Sequence, residues 1–304
     1  MAAPRPGDNW PVSPDDAERL FSQAPLEIVS LEATSRGVAG ALKGRIALSD
    51  SGRQLDVKWK VAPSRTLDSW NNNPRKELAC YAVQRWFLRT EDYVVPTVVL
   101  RAVPITSYRR LDPKAEPTVD GTQWVLGTLT VWLQHTTDFD VLYDPQRFAI
   151  DPVYAYHLAN FNVLTYLVAH RDGRPGNILV ADNDANRRIF AVDNGISFGG
   201  WIYNFLTTNW NVIRVAAIRR EVVERLRSLD RSALAALATL AELQVDADGM
   251  LRCVAAKAPI DPRRGVRIDT GRVQLGLTTA ELDGMARRIS ALLKRVGEGS
   301  LAVF

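Results

Sequence analysis

The chain has 304 residues, 46% hydrophobic and 24% charged, a composition that excludes disordered and fibrous classes. At about 150 residues per domain its length fits two domains or one bilobal fold. Lys and Arg number 38 against 34 Asp and Glu, a formal net charge of +4. The arginines are scattered in pairs such as Arg109 with Arg110 and Arg219 with Arg220. They form no basic run with interleaved aromatics, so nucleic acid has little support as a partner, and anionic phosphate ligands explain the balance equally well. Three histidines and two distant cysteines, Cys80 and Cys253, offer neither a zinc-site spacing nor a disulfide framework. The uncharged stretches 152–170 and 194–213 are interrupted by Asn160, Asn162, Asn204, Asn209 and Asn211, so no membrane span is expected. Prolines and acids stand at the start where a signal peptide needs an apolar core, and a cytoplasmic location is expected.

The first 25 residues, with Pro4, Pro6, Pro11, Pro14 and Pro25, read as a tail wrapped on a domain. A strand-rich region follows. The alternation of Leu55, Val57, Trp59 and Val61 places Asp56, Lys58 and Lys60 on the opposite strand face. Asn73 and Pro74 form a cap and first-turn pair, which predicts a helix running to about Leu88. Strands resume over 93–103 and 122–133. Asp151 and Pro152 form a second such pair, opening a long apolar helix to about Val168. Beyond it a short hairpin is predicted over 177–180 and 189–192, then helices over 211–229 and 230–243. The capping box from Thr278 to Glu281 predicts a last helix reaching about Val296. A strand-rich half with one helix followed by a helical half with one hairpin is an α+β bilobal layout, divided as a tail at 1–25, a first lobe at 26–135 and a second at 136–304.

The loop after the long helix reads HRDGRPGN, from His170 to Asn177, and fits the pattern HRDxxxxN at every fixed position. An aspartate at the start of such a loop, here Asp172, can accept a hydroxyl proton at a reacting phosphorus. An amide five residues on, Asn177, reaches a divalent ion on the same phosphates. Sixteen residues later an apolar strand ends at Asp193, with Gly195 two residues beyond, the pattern of a second metal ligand at a backbone turn. Its middle residue is Asn194, where the common form of this motif carries phenylalanine. Upstream, Lys58 and Lys60 share a strand face able to meet phosphates, and Glu77 lies on the first lobe's helix. A strand lysine paired with a helix glutamate completes the set. Either lysine can fill the role, with Lys58 favoured because Trp59 and Val61 continue the strand beyond it. Gly37, Gly40 and Gly44 punctuate SRGVAGALKG between two strand patterns and give weak support for a phosphate-cradling loop.

These residues together resemble the protein-kinase-like superfamily. HRDGRPGN is similar to the eukaryotic-type catalytic loop, and its PGNIL ending resembles the aminoglycoside and choline phosphotransferases. AVDNGISFGG resembles the metal-binding segment of the atypical branch, which includes phosphatidylinositol 3- and 4-kinases, HipA-type kinases and secretory-pathway kinases related to four-jointed. The resemblance implies a bilobal kinase-like fold and transfer of the γ-phosphate of ATP, with Mg²⁺ or Mn²⁺, to a hydroxyl of a protein, lipid or small-molecule acceptor. It further implies that Asp172 is the catalytic carboxylate and that Arg174 steadies the γ-phosphate. Asn177 and Asp193 become the metal ligands, Lys58 or Lys60 the phosphate anchor, and Glu77 its support. No APE motif follows Asp193, which disfavours a typical Ser/Thr or Tyr kinase. A kinase-like scaffold without catalysis is the alternative from another class.

Two other patterns compete. GISFG after a strand satisfies GxSxG, but a hydrolase of that type needs a histidine after the serine, and none follows His170. Asp182 to Asn186 imitates the start of a calcium loop, with Arg187 at the glycine position and no glutamate at the twelfth, and is read as a hairpin turn.

Overall fold

The computed structural model describes residues 9–34, 40–49, 51–63, 67, 73–138, 143–183, 187–199, 210–247, 251–255, 263–269 and 271–304. Ser13, Pro14 and two following aspartates start α1 (Pro14–Gln23), the serine hydroxyl accepting from Asp16 N. Strands β1 (Leu26–Ala33), β2 (Ala41–Leu48) and β3 (Gln54–Val61) lead to α2 (Pro74–Gln84). They are followed by β4 (Val98–Pro104), α3 (Ile105–Tyr108), β5 (Trp124–Val131) and β6 (Thr136–Asp138). The helices α4 (Pro145–Ile150) and α5 (Pro152–Leu167) are each capped by an aspartate, Asp144 and Asp151, ahead of a proline. The expected hairpin is β7 (Ile178–Ala181) with β8 (Ile189–Ala191), joined to β6 in a three-stranded antiparallel sheet. Then come β9 (Ala217–Ile218), α6 (Arg220–Arg227), α7 (Arg231–Ala236), β10 (Ala241–Val245), β11 (Leu251–Val254), β12 (Val266–Asp269), β13 (Arg272–Leu275), α8 (Thr279–Gly297) and β14 (Ala302–Val303). Among the described residues no helix is long and apolar enough to cross a membrane.

The chain divides into two compact units. The first holds residues 1–78, 97–134 and 238–278. Its main sheet is antiparallel, in the order β1-β2-β3-β5-β4. Trp59 fills its core and donates from Nε1 to Tyr108 Oη at 3.1 Å. Residues 9–12 are buried and α1 lies on β4. Arg101 from β4 donates to the carbonyls of Phe21, Ser22 and Ala24 at 2.8–3.0 Å. A cation thus satisfies acceptors that the end of α1 leaves open. Gly127 lies against the Trp59 ring, and a Cβ there would sit 2.6 Å from Cζ2 and 2.8 Å from the Lys60 carbonyl oxygen. Gly127→Ala is expected to destabilise the protein by about 2–3 kcal/mol through overpacking, read as a lower urea midpoint at unchanged slope.

The second half departs from expectation. The residues read as helix over 211–229 are helical only from Arg220 to Arg227, because buried Asn162 pins the preceding backbone. Its Oδ1 accepts from Arg214 N and Val215 N at 2.7 and 3.2 Å, and its Nδ2 donates to Val212 O at 2.8 Å. The helix expected over 230–243 shrinks to α7, and the chain continues as β10. Long-range pairing overrides the helical propensity of its alanines and leucines. Strands β11-β10-β13-β12 form a four-stranded antiparallel sheet within the first unit. Gly276 permits its close approach, since a Cβ there would stand 2.0 Å from the Ala238 carbonyl oxygen.

The second unit holds residues 79–96, 135–237 and 279–304. Helix α5 is buried along most of its length, with Leu158, Phe161, Leu164 and Leu167 in the core, as expected of a helix apolar all round. Gln84 accepts from Val94 N and Val95 N at 2.8 Å and donates to Val95 O at 2.9 Å. This latch folds the chain back after α2, where tighter turns carry it to Leu88 in place of the longer helix expected. Arg219 packs 3.9 Å over the Tyr156 ring and bonds Asp92 at 2.9 Å, and Tyr156 donates to the same carboxylate at 2.8 Å. Beside them, burial together with Arg188 pushes the His157 imidazole down to about 4, Arg219 adding to the effect and Asp92 opposing it. A histidine held neutral in the folded state binds fewer protons than the unfolded chain, so its contribution is present above pH ~6.5 and is lost as pH falls toward 4. Between those values the unfolding free energy is expected to drop less steeply for His157→Phe than for wild type, measured by urea titration at a series of pH values.

Candidate active site

Two clusters, one in each unit, hold the residues singled out from the sequence. In the first unit Lys60 Nζ lies 3.3 Å from Glu77 Oε1, both residues being almost wholly buried, at 2% and 4% exposure. The preference for Lys58 is therefore corrected: Lys60 is the strand lysine that meets the helix glutamate. Strand alternation puts both lysines on one face, and the neighbours decide between them. Lys60 stands opposite Ala41 on β2 and Thr128 on β5, small residues that leave room for its side chain to turn toward α2. Lys58 stands opposite Lys43 and Thr130 and is half-buried. Glu77 is placed by the start of α2, where the Asn73 carbonyl accepts from Lys76 N and Glu77 N at 3.2 and 3.4 Å. This is the register expected of a cap at Asn73 and a proline at the first helical position.

The glycine loop falls between β1 and β2, an antiparallel pair. Gly37 lies outside the described residues. Gly40 has φ 74° and enters β2 in the left-handed region that glycine favours. Gly44 lies within β2, opposite Leu31, where a Cβ would meet Leu31 Cδ2 at 3.1 Å.

The second cluster forms where α5 gives way to the HRDGRPGN loop. Asn177 Nδ2 donates to the Asp172 carboxylate at 2.7 Å and to the Asp172 carbonyl at 3.1 Å. Arg174 Nε lies 3.4 Å from the same carboxylate oxygen. The aspartate and the asparagine of the motif are thus in direct contact, a feature its spacing alone did not reveal. Asn177 N donates to Arg174 O at 3.0 Å, and Val192 N donates to Asn177 O at 2.8 Å. The second bond sets Asn177 beside the end of β8, next to Asp193. With Nδ2 turned to Asp172, Oδ1 is the amide atom suited to a cation.

Asp193 makes the turn itself, at φ 65°, in place of Gly195. A left-handed aspartate is uncommon and marks a position where the backbone is constrained by its surroundings. Asn194 does not project as a phenylalanine would: it is buried and donates back to Ala191 O at 3.2 Å. Three further contacts brace the loop. His170 N donates to Thr165 O at 2.8 Å, Phe198 N to Val168 O at 2.5 Å, and Arg288 Nε of α8 to Leu167 O at 2.8 Å. Ser197 of the GxSxG pattern is wholly buried, whereas a nucleophile elbow presents its serine to substrate.

The oxygen donors of Asn177 and Asp193 suit a hard divalent cation. Among the described residues no three His, Cys, Asp or Glu side chains gather as a metal cage. A donor set this small fits Mg²⁺ or Mn²⁺, for which phosphate and water complete the shell; it does not fit a structural zinc site.

No protein-family description matches the sequence, and no curated protein matches it. Solved structures do. The chain is similar to a crystal structure of the Golgi casein kinase with a TM-score of 0.53 at 12% identity, covering 94% of this chain and 74% of that one. It is similar to the Golgi casein kinase with Mn/ADP bound with a TM-score of 0.52 at 12% identity, covering 95% and 78%. The fold is therefore kinase-like, a mixed α and β architecture with a strand-rich sheet region and helices. At this identity the likeness carries the fold, and the chemistry rests on the residues above.

Proposed function

We propose that this protein is an ATP-dependent phosphotransferase that moves the γ-phosphate to an acceptor hydroxyl with the help of Mg²⁺ or Mn²⁺. The observation that carries the reading is the Asp172 carboxylate held by the Asn177 amide at 2.7 Å inside an HRDxxxxN loop. Likeness to a kinase solved with Mn/ADP supports it. Lys60, positioned by Glu77, binds the phosphates, with the Gly40 loop as a backbone cradle. Asp172 orients the acceptor hydroxyl. As the acceptor oxygen bonds to the γ-phosphorus, the bond to the β-phosphate oxygen breaks, ADP leaves and the hydroxyl proton passes to Asp172. Arg174 adjoins that carboxylate and offers a planar fork of donors to the transferring phosphoryl group. Asn177 and Asp193 hold the metal, which when bound neutralises charge on the phosphates.

A ligand that binds only the folded state raises stability by about 2.7 kcal/mol at a hundredfold excess over its Kd. The melting temperature is expected to rise with ATP plus Mn²⁺ or Mg²⁺, and much less with nucleotide or metal alone. A flat profile across both metals and several nucleotides would remove the reading.

A further inference from the structure

On the polar face of the main sheet one lysine, Lys58, has no ion pair among the described residues. Residues 56, 58 and 60 alternate onto the face of β3 that looks toward α2, and in an antiparallel sheet directly opposed residues share a face. That adds Lys43 and Arg45 from β2, opposite Lys58 and Asp56, and the exposed Glu32 of β1, opposite Lys43. Lys43 Nζ lies 3.4 Å from Asp56 and 5.1 Å over the Trp132 ring, and Arg45 Nε lies 3.0 Å from Asp56. Lys60 is paired with Glu77. Lys58 is half-buried, has Lys43 directly across the ladder, and makes no ion pair or side-chain hydrogen bond among the described residues. Like charges facing each other across a ladder destabilise it, and a half-buried ammonium without a partner gives up part of its hydration with nothing in return. An arrangement of this kind gains by taking up an anion.

We propose that Lys58 is a second phosphate contact, so that Lys58 and Lys60 together hold an oligophosphate chain and the sheet selects nucleoside di- and triphosphates over monophosphates. The inference rests on the nucleotide-binding reading above. Two residues along a strand separate the lysines by about 6.6 Å, a spacing that lets each take a different phosphate of one chain. Lys60 lies nearer the β1–β2 connection, opposite Ala41 next to Gly40, and Lys58 lies two ladder positions further from it, opposite Lys43. Lys58 therefore adds charge along the chain and does not duplicate Lys60. Glu77 positions one lysine; the other is positioned by the ladder itself.

The test is a set of titrations with ATP, ADP and AMP in the presence of Mn²⁺, on wild type, Lys58→Met and Lys43→Met. Wild type is expected to bind ATP and ADP well above AMP. Lys58→Met should weaken ATP and ADP by about tenfold or more, the range for losing a charge-assisted hydrogen bond, while AMP changes little. Its melting temperature without ligand should stay the same or rise, since a like-charge opposition is removed. Lys43→Met, whose ammonium already faces Asp56, should alter all three less than twofold. If Lys58→Met keeps the wild-type preference for ATP over AMP, or if Lys43→Met loses as much, the inference is wrong and the nucleotide reading stands. If wild type binds none of the three nucleotides, the reading itself fails and the inference goes with it.

Discussion

Asp172→Asn is expected to lower phosphoryl transfer by about 10²-fold or more, the usual range for losing a general base, with ATP affinity and melting temperature close to wild type. The two parts of this expectation have separate causes. An asparagine oxygen can still accept from Asn177 Nδ2, which now lies 2.7 Å from the carboxylate, so the loop keeps its internal bond. The charge that draws the acceptor proton is lost. Asp193→Asn should behave differently. Weakening a metal ligand lowers the affinity of the metal–nucleotide complex as well as the rate, so its Kd for ATP with Mn²⁺ should rise while Asp172→Asn leaves that value in place. ATP hydrolysis or autophosphorylation, measured beside a binding titration, separates the two variants. Full turnover in Asp172→Asn would reduce HRDGRPGN to an accident of loop composition.

Lys60→Met should give the largest loss of stability among the site variants, about 3–5 kcal/mol, because it leaves the buried Glu77 carboxylate without this counter-charge. Removing both charges relieves that penalty: the double variant Lys60→Met with Glu77→Leu should recover most of the stability, since replacing a buried pair by apolar groups is often neutral. Nucleotide affinity should not recover with it, because the phosphate contact is still missing. Chemical unfolding and ATP titration of the single and double variants therefore separate what the pair does for the fold from what Lys60 does for the ligand. Recovery of ATP binding in the double variant would show that Lys60 does not touch phosphate.

The parts of this site legible in the sequence were those whose cause is local. HRDGRPGN is contiguous, the caps ahead of α2 and α5 lie one residue from the helices they start, and the β7–β8 hairpin is bounded by its own turn residues. What could not be read depends on partners distant in the chain. Lys58 and Lys60 have the same strand parity, and they differ in what stands across the β2 ladder, Lys43 against Ala41, and in which of them Glu77 meets. The sheet of β10 to β13 runs through a segment whose alanines and leucines favour a helix locally, and it exists because β10 finds partners on both sides. The backbone before α6 is set by a single buried amide, Asn162, some fifty residues earlier. Asp92 and Arg219 meet across 127 positions. In the sequence these residues are an asparagine in an apolar helix and two charges with no nearby partner.

Transfer of the γ-phosphate is read by incubating the purified protein with γ-labelled ATP and Mn²⁺ against lysate proteins, lipids and sugars, with Asp193→Ala run in parallel. Label is expected on a hydroxyl-bearing acceptor, or on the protein itself, that depends on the metal and is absent with Asp193→Ala. Nucleotide binding without transfer to any acceptor class, or label that persists undiminished in Asp193→Ala, would contradict it.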